Sequence, residues 1–185
     1  MKNLTQRLDK LRLIIQNEDF LRGKGLGNEG NIRIFCYEPQ EEMTIRYFVE
    51  QLAEDKSLHC KLHIYNLYQV FLQICEEKKI IKSVDKMEFS KGSEHLLQRL
   101  QSIANIRAFT ERIAYEPQQV GDVVLITGVG EVYPFMRAHI LMEALQSVFN
   151  AVPVVVMYPG VYDGGYVKMF NCLESNPYYR AYKIL

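Results

Sequence analysis

Gly-Asp-Val-Val-Leu-Ile-Thr-Gly, residues 121–128, decides the fold of this chain. Val123 to Thr127 is a continuous apolar run closed by a glycine at each end. It is too short for a buried helix and rich in β-branched residues, the pattern of a strand covered on both faces. A second such run, Val154 to Met157, closes at Pro159-Gly160. Between the two, Phe135, Ala138, Met142, Leu145 and Phe149 recur at heptad-like spacing, which predicts an amphipathic helix starting near Pro134. Two strands that are apolar throughout, joined by a helix, belong to a parallel sheet with helices on both sides.

The same alternation extends toward the N-terminus. Leu4, Leu8, Leu11 and Ile15 predict a helix running to about Arg22, with Asn3 as its cap. The glycine cluster Gly23, Gly25 and Gly27 ends it and leads into a strand from Ile32 to Tyr37. A helix after Pro39 carries Ile45, Phe48, Val49 and Leu52 on one face, and a strand follows from about Cys60 to Tyr65. Leu67, Val70, Phe71, Ile74 and Cys75 then mark another helix. Residues 80–117 read as a helical insertion: irregular from Ile80 to Phe89, then a helix capped by Ser93 and a shorter one through Phe109 and Ile113. A last strand, about Arg180 to Ile184, joins a sheet edge. The expected architecture is one three-layer α/β domain over residues 1–185, with a mostly parallel sheet of four or five strands.

Composition narrows the function. At 185 residues a full core needs no disulfide or metal staple. Twenty-two basic and 22 acidic side chains cancel, which argues against dependence on a polyanion, since nonspecific nucleic-acid affinity rests on phosphate neutralisation. No apolar run reaches the roughly 18 residues of a membrane span, and no secretory signal is legible, so a cytoplasmic protein is expected. The four cysteines form no CxxC pair, and Cys36, Cys60 and Cys75 lie in apolar-patterned segments, as reduced structural thiols do.

In open α/β sheets ligands bind beyond the carboxyl ends of the strands. That rule selects three loops: CYEPQEEMT after the first strand, TGVGEVYPFMR after the third and YPGVYDGGY after the fourth. The first has the place of a phosphate loop but no glycine or lysine, and Glu38, Glu41 and Glu42 would repel a polyphosphate. ATP hydrolysis of the usual kind is therefore not expected, although a degenerate P-loop-like core that keeps the scaffold stays open. The second loop offers a candidate anion site: Gly128 and Gly130 free the backbone, and Arg137 falls in the first turn of the following helix. His59 and His63, on a strand, would lie about 13 Å apart, too far for one zinc, and His139 with Asp163 makes only two ligands. No metal or other cofactor is expected. No GxSxG elbow is present and Cys172 has no recognisable histidine partner, so no catalytic residue is assigned.

Six of the 12 tyrosines, Tyr158, Tyr162, Tyr166, Tyr178, Tyr179 and Tyr182, fall in the last 28 residues, where either strand propensity or a protein interface accounts for them.

GLGNE at 25–29, TGVGEVYPFMRAHILMEALQ at 127–146, VPVVVMYPGVYDG at 152–164 and NPYYRAY at 176–182 resemble the BrxB family, small proteins of the BREX bacteriophage-exclusion systems. The residues that carry the resemblance are Gly27, Asn28, Glu29, Gly128, Gly130, Tyr133, Pro134, Arg137, His139, Tyr158, Pro159, Gly160, Asp163, Gly164, Tyr179 and Arg180. The resemblance implies a cytoplasmic component of a multi-gene antiphage defence, encoded beside a large ATPase, an adenine methyltransferase and a PglZ-type protein. It suggests a noncatalytic adaptor that touches the PglZ-type protein and meets nucleic acid only through the complex. The partner-binding candidates are then Tyr133, His139, Tyr158, Tyr162, Asp163, Tyr178, Tyr179 and Arg180. Two alternatives stay open: a nucleotide- or anion-binding regulatory module built on Gly128, Gly130 and Arg137, and a nucleic-acid-binding subunit using the N-terminal helix and Arg180.

Overall fold

A computed structural model describes residues 3–22, 31–177 and 181–185. Its centre is a parallel sheet of five strands: β1 (Ile32–Tyr37), β2 (Lys61–Asn66), β3 (Asp122–Thr127), β4 (Val154–Tyr162) and β7 (Ala181–Lys183). They lie side by side in the order β2-β3-β4-β1-β7, so β7 forms an edge, as the sequence predicts. Ile32 pairs with Val154 on one side and with Ala181 on the other, which places the first strand inside the sheet.

Alternation along the strands builds two cores. Ile32, Ile34, Val124, Ile126, Val154 and Val156 face one layer, formed by α4 (Leu67–Glu77), α6 (Ser93–Ile103), α7 (Ile106–Ile113) and α8 (Ala138–Val148). Phe35, Tyr37, Val123, Leu125, Val155 and Met157 face the other, formed by α1 (Leu4–Ile14) and α3 (Glu42–Glu54). Each fully buried aliphatic or aromatic side chain contributes roughly 1.5–3 kcal/mol, so both helical layers are held chiefly by these stripes. Cys36 and Cys75 are buried and all four cysteines are free thiols.

Ser93 does not cap α6: Gly92 is the N-cap, and the Ser93 hydroxyl donates to Glu88 Oε1 at 2.6 Å. The structure departs from the sequence reading in four further places. The first helix ends at Ile14, and a separate short turn, α2 (Glu18–Leu21), begins where the Asn17 side chain accepts from the amides of Asp19 and Phe20. The stretch from Ile80 is not irregular throughout, because α5 (Val84–Lys91) is helical although it buries no residue. Only Val84 and Met87 pack partly against the core, which is too short an apolar stripe to read as a period. The fourth strand also does not stop at Pro159-Gly160. β4 continues to Tyr162 by changing partner, pairing in parallel with β1 as far as Pro159 and antiparallel with β5 (Tyr166–Met169) from Gly160. Gly160 has φ +153°, and a Cβ there would collide with the Lys168 carbonyl oxygen, so this residue permits the close approach of β5. β5 in turn pairs with β6 (Asn176–Pro177). The fourth departure, the start of α8, shapes the site.

Candidate functional site

The loop after β1 is filled by its own carboxylates. The Glu38 amide donates to Glu41 Oε2 at 2.9 Å, and Asn171 Nδ2 donates to Glu38 Oε2 at 2.7 Å. Glu42 accepts the Tyr37 hydroxyl at 2.5 Å and Arg46 Nε at 3.0 Å. Arg46 also reaches Glu131 Oε1 at 3.0 Å, and Asn66 Nδ2 donates to Glu131 Oε2 at 3.1 Å. Asn66 Oδ1 completes the chain by capping α4 at the amides of Tyr68 and Gln69. Burial and then the Glu42 bond push the Tyr37 hydroxyl far above the ordinary phenol range, so it stays a donor. One network thus ties together the carboxyl ends of β1, β2 and β3. It lines a cleft of about 310 Å³ on the α3 side of the sheet, where Arg46 bridges the two carboxylates Glu42 and Glu131.

A different cleft, of about 290 Å³, opens on the α8 side and is lined by Tyr133, Arg137, His139, Tyr158, Met169, Leu173, Glu174 and Asn176 among others. The segment after β3 builds one wall. The Val132 amide donates to Gly128 O at 3.0 Å, and the amides of Phe135 and Met136 donate to Val132 O at 2.8 and 3.3 Å. These turns bury Val132 and Met136 and leave Tyr133 and Arg137 outside. They also use up the residues that the sequence assigns to the first turn of the helix. α8 starts at Ala138, not near Pro134, and Arg137 is its N-cap without a side-chain capping bond. No carbonyl or side chain among the described residues accepts from the amides of Ala138, His139 or Ile140.

Tyr158, on β4, forms the inner wall and is only 2% exposed, yet its hydroxyl makes no hydrogen bond to any described residue. Burial raises its proton affinity, keeping it a neutral donor. The Arg137 guanidinium is exposed and forms no ion pair among the described residues. His139 is half-buried; desolvation first, then the charge of Arg137, push its pKa below the ordinary 6.5, with Glu143 opposing. Tyr133 stands edge-on to Phe170 at 6.5 Å between ring centroids.

The structure therefore brings Tyr133, Arg137, His139 and Tyr158 together and places the other candidates elsewhere. Gly128 has φ +68° and its Cβ direction meets Asn66, while Gly130 lies against Phe170 and Pro159. Neither lines the cleft of Arg137; both serve close packing, and the donors beside Arg137 are the α8 amides. Tyr162 is buried and its hydroxyl donates to Ala181 O at 2.7 Å. The Asp163 carboxylate accepts from the amides of Gly165 and Tyr166 at 2.9 and 2.7 Å, which closes the turn between β4 and β5. Tyr178, Tyr179 and Arg180 lie outside the described residues, as do Gly27, Asn28 and Glu29. Sequence reasoning missed Met43 and Tyr47, four apart on α3 and off its buried stripe, which are 71% and 63% exposed. Their signal was two large side chains at helical spacing opposite Ile45 and Leu52.

A model of the family described as BREX protein BrxB matches residues 63–184, more than half of the chain. The chain belongs to the BrxB family. It is 34% identical over 192 residues to the BREX protein BrxB of Bacillus cereus strain H3081.97, an alignment covering 100% of this chain and 99% of that protein. It is 30% identical over 187 residues to the BREX protein BrxB of Escherichia coli O9:H4 strain HS, covering 98% of this chain and 92% of that one. No solved structure matches it. Membership of BrxB makes the chain a component of a BREX system, and so of antiphage defence. Among the described residues no helix is long and apolar enough to cross a membrane.

Proposed function

We propose that this BrxB-family chain is a noncatalytic adaptor of a cytoplasmic BREX assembly, holding another protein of the system, the PglZ-type protein before the others. The observation that carries this reading is the contrast at the carboxyl ends of the strands. The carboxylates that could have served as acids, bases or ligands are bonded to one another's partners, while large aromatic and apolar side chains stand in water. Met43, Tyr47 and Tyr133 are 71%, 63% and 39% exposed. Tyrosine and methionine are enriched at protein interfaces, tyrosine because its rigid ring gives contact area at low entropic cost and methionine because its flexible thioether adapts to the partner surface. Partner contact is assigned to this rim, His139, Asp163 and residues 178–180 are kept as candidates from the sequence, and nucleic acid is met only through the complex.

The test is affinity capture of the tagged chain from cells carrying the whole operon, with each recovered protein identified and sized. The expected result is stoichiometric recovery of the PglZ-type protein, lost in the Met43→Ser/Tyr47→Ser double variant or in Tyr133→Ala while the melting temperature is kept. Recovery of the chain alone would sink the adaptor reading. Full retention of the partner in both variants would remove this rim as its surface.

A further inference from the structure

We infer that the cleft at the N-terminus of α8 binds a small phosphate monoester, with Arg137, the first amides of α8 and the Tyr158 hydroxyl around the phosphate and Tyr133 against the organic body. Two independent observations point to a ligand there. The first is the helix end: α8 is 11 residues long, its N-cap supplies no side-chain oxygen, and its first three amides have no acceptor among the described residues. Such an end carries about half a positive charge and presents N–H groups to an anion. Asn3, Asn17, Asn66 and Asn105 each cap their own helix through the side chain, whereas α3, α5 and α6, like α8, have no side-chain cap. What sets the α8 end apart is the cleft it opens into, lined by Arg137, Ala138 and His139. The second is Tyr158. A hydroxyl on a residue 2% exposed, without a hydrogen bond, sits in the same cleft. The hydroxyl oxygen is not among the buried side-chain atoms that lack a partner, so it opens into the cleft, free to donate to a bound acceptor.

The chemistry of the lining selects the class. Arg137 is the cation of the cleft and is unpaired among the described residues; a guanidinium reads a phosphate in bidentate fashion. Glu174 is the opposing charge, exposed at the rim, where it repels a second anionic group and can accept from hydroxyls of the organic body. This favours one phosphate over a polyphosphate. Tyr133, with Phe170 behind it, and the apolar Met169 and Leu173 offer a surface for a flat body. The volume of about 290 Å³ lies at the lower end of small-molecule sites, which run to roughly 300–1,000 Å³. A mononucleotide-sized ligand is the upper limit. This inference does not rest on the adaptor reading, and it replaces the glycines of the sequence-based anion site with the amides of α8.

The experiment is calorimetric titration of the full chain, in chloride buffer of low ionic strength, with AMP, inorganic phosphate, adenosine and glutarate. The expected result is saturable binding of AMP at one site per chain, weaker binding of inorganic phosphate, and no saturable heat with adenosine or glutarate. Arg137→Gln should weaken AMP about tenfold, or about 1.4 kcal/mol. Tyr158→Phe should weaken it several-fold while leaving the melting temperature of the free protein unchanged. Absence of saturable binding by either phosphate overturns the inference, and so does unchanged AMP affinity in either variant. Glutarate binding as tightly as AMP overturns it in favour of a site for the acidic side chains of a protein. Capture of the system partner by Arg137→Gln as by the parent chain would leave the adaptor reading standing, so the two can fail separately.

Discussion

Two clefts of nearly equal size flank the carboxyl ends of β3 and β4, and their polar groups are in opposite conditions. On the α3 side, Tyr37, Glu42, Arg46, Glu131 and Asn66 form a chain in which each charged group meets an opposite charge or a donor. On the α8 side, Arg137, the Tyr158 hydroxyl and three helix amides have no partner among the described residues. Ligand-competent and structural polar groups can share one rim of a sheet, and pairing tells them apart. A saturated network spends its interactions on the fold. An unsaturated one keeps them for something that arrives later.

The sharpest way to break the comparison is to unsaturate the first cleft. Asn66→Ala removes the α4 cap and the donor to Glu131 together. Cap losses cost about 0.5–2 kcal/mol and a hydrogen bond to a charged group about 1.5–3. With both at stake, thermal unfolding should show the melting temperature lowered by about 5–10 °C, given the roughly 2–4 °C per kcal/mol expected at this length. A drop of under about 2 °C would show that the network is incidental to stability. Arg46→Met should cost less, about 1 kcal/mol in urea denaturation, because Arg46 is partly exposed and surface pairs are screened. Its effect should shrink as salt rises.

The parts of this comparison were unequally legible in the sequence. The strands of the sheet, its parallel sense and the edge position of β7 followed from apolar runs and helical periodicity, which are local patterns. Tyr133, Arg137, His139 and Tyr158 could be brought near one another because strand carboxyl ends converge. The continuation of β4 was hidden because Pro159-Gly160 is the same dipeptide whether the chain stops or, as here, switches partner beside the Lys168 carbonyl. α5 was hidden because it fully buries no residue: only Val84 and Met87 pack partly against the core, and Phe89 is 96% exposed. The start of α8 moved because the turns anchored by Val132 and Met136 occupy four residues that the periodicity assigned to the helix. The saturated network was least legible. Glu42 and Arg46 are four apart on a helix, but Asn66 and Glu131 join them from other strand ends, and no local pattern records such a pairing.

The open cleft should respond in the opposite way to the saturated one. Arg137→Gln and Tyr158→Phe remove groups that bond to no described residue, so unfolding free energies should stay within about 0.5 kcal/mol of the parent chain, as surface changes away from special features do. Tyr158→Phe should be close to neutral, since the hydroxyl it deletes bonds to no described residue and opens into the cleft. A loss of more than about 2 kcal/mol in Tyr158→Phe would reveal a structural bond and remove the contrast between the clefts.

The smallest expected effect is a pH dependence carried by His139. Its pKa in the folded protein lies below 6.5, first because burial disfavours the imidazolium and then because Arg137 repels it, with Glu143 opposing. The unfolded chain therefore takes up this proton at a higher pH than the folded one. The stability that His139 contributes is fully present above the unfolded value and is lost as pH falls through 6.5 toward the folded pKa. His139→Gln should accordingly lose stability less steeply than the parent chain between neutral and mildly acidic pH, which paired denaturant titrations at several pH values would show. The other three histidines are common to both proteins and cancel in the difference. A phosphate bound beside Arg137 would favour the imidazolium, so saturating ligand should flatten the acid loss of the parent chain and leave that of His139→Gln unchanged. If the two proteins keep the same difference at every pH, His139 has no titration coupled to folding, and the open cleft is unsaturated only at Arg137, the helix amides and Tyr158.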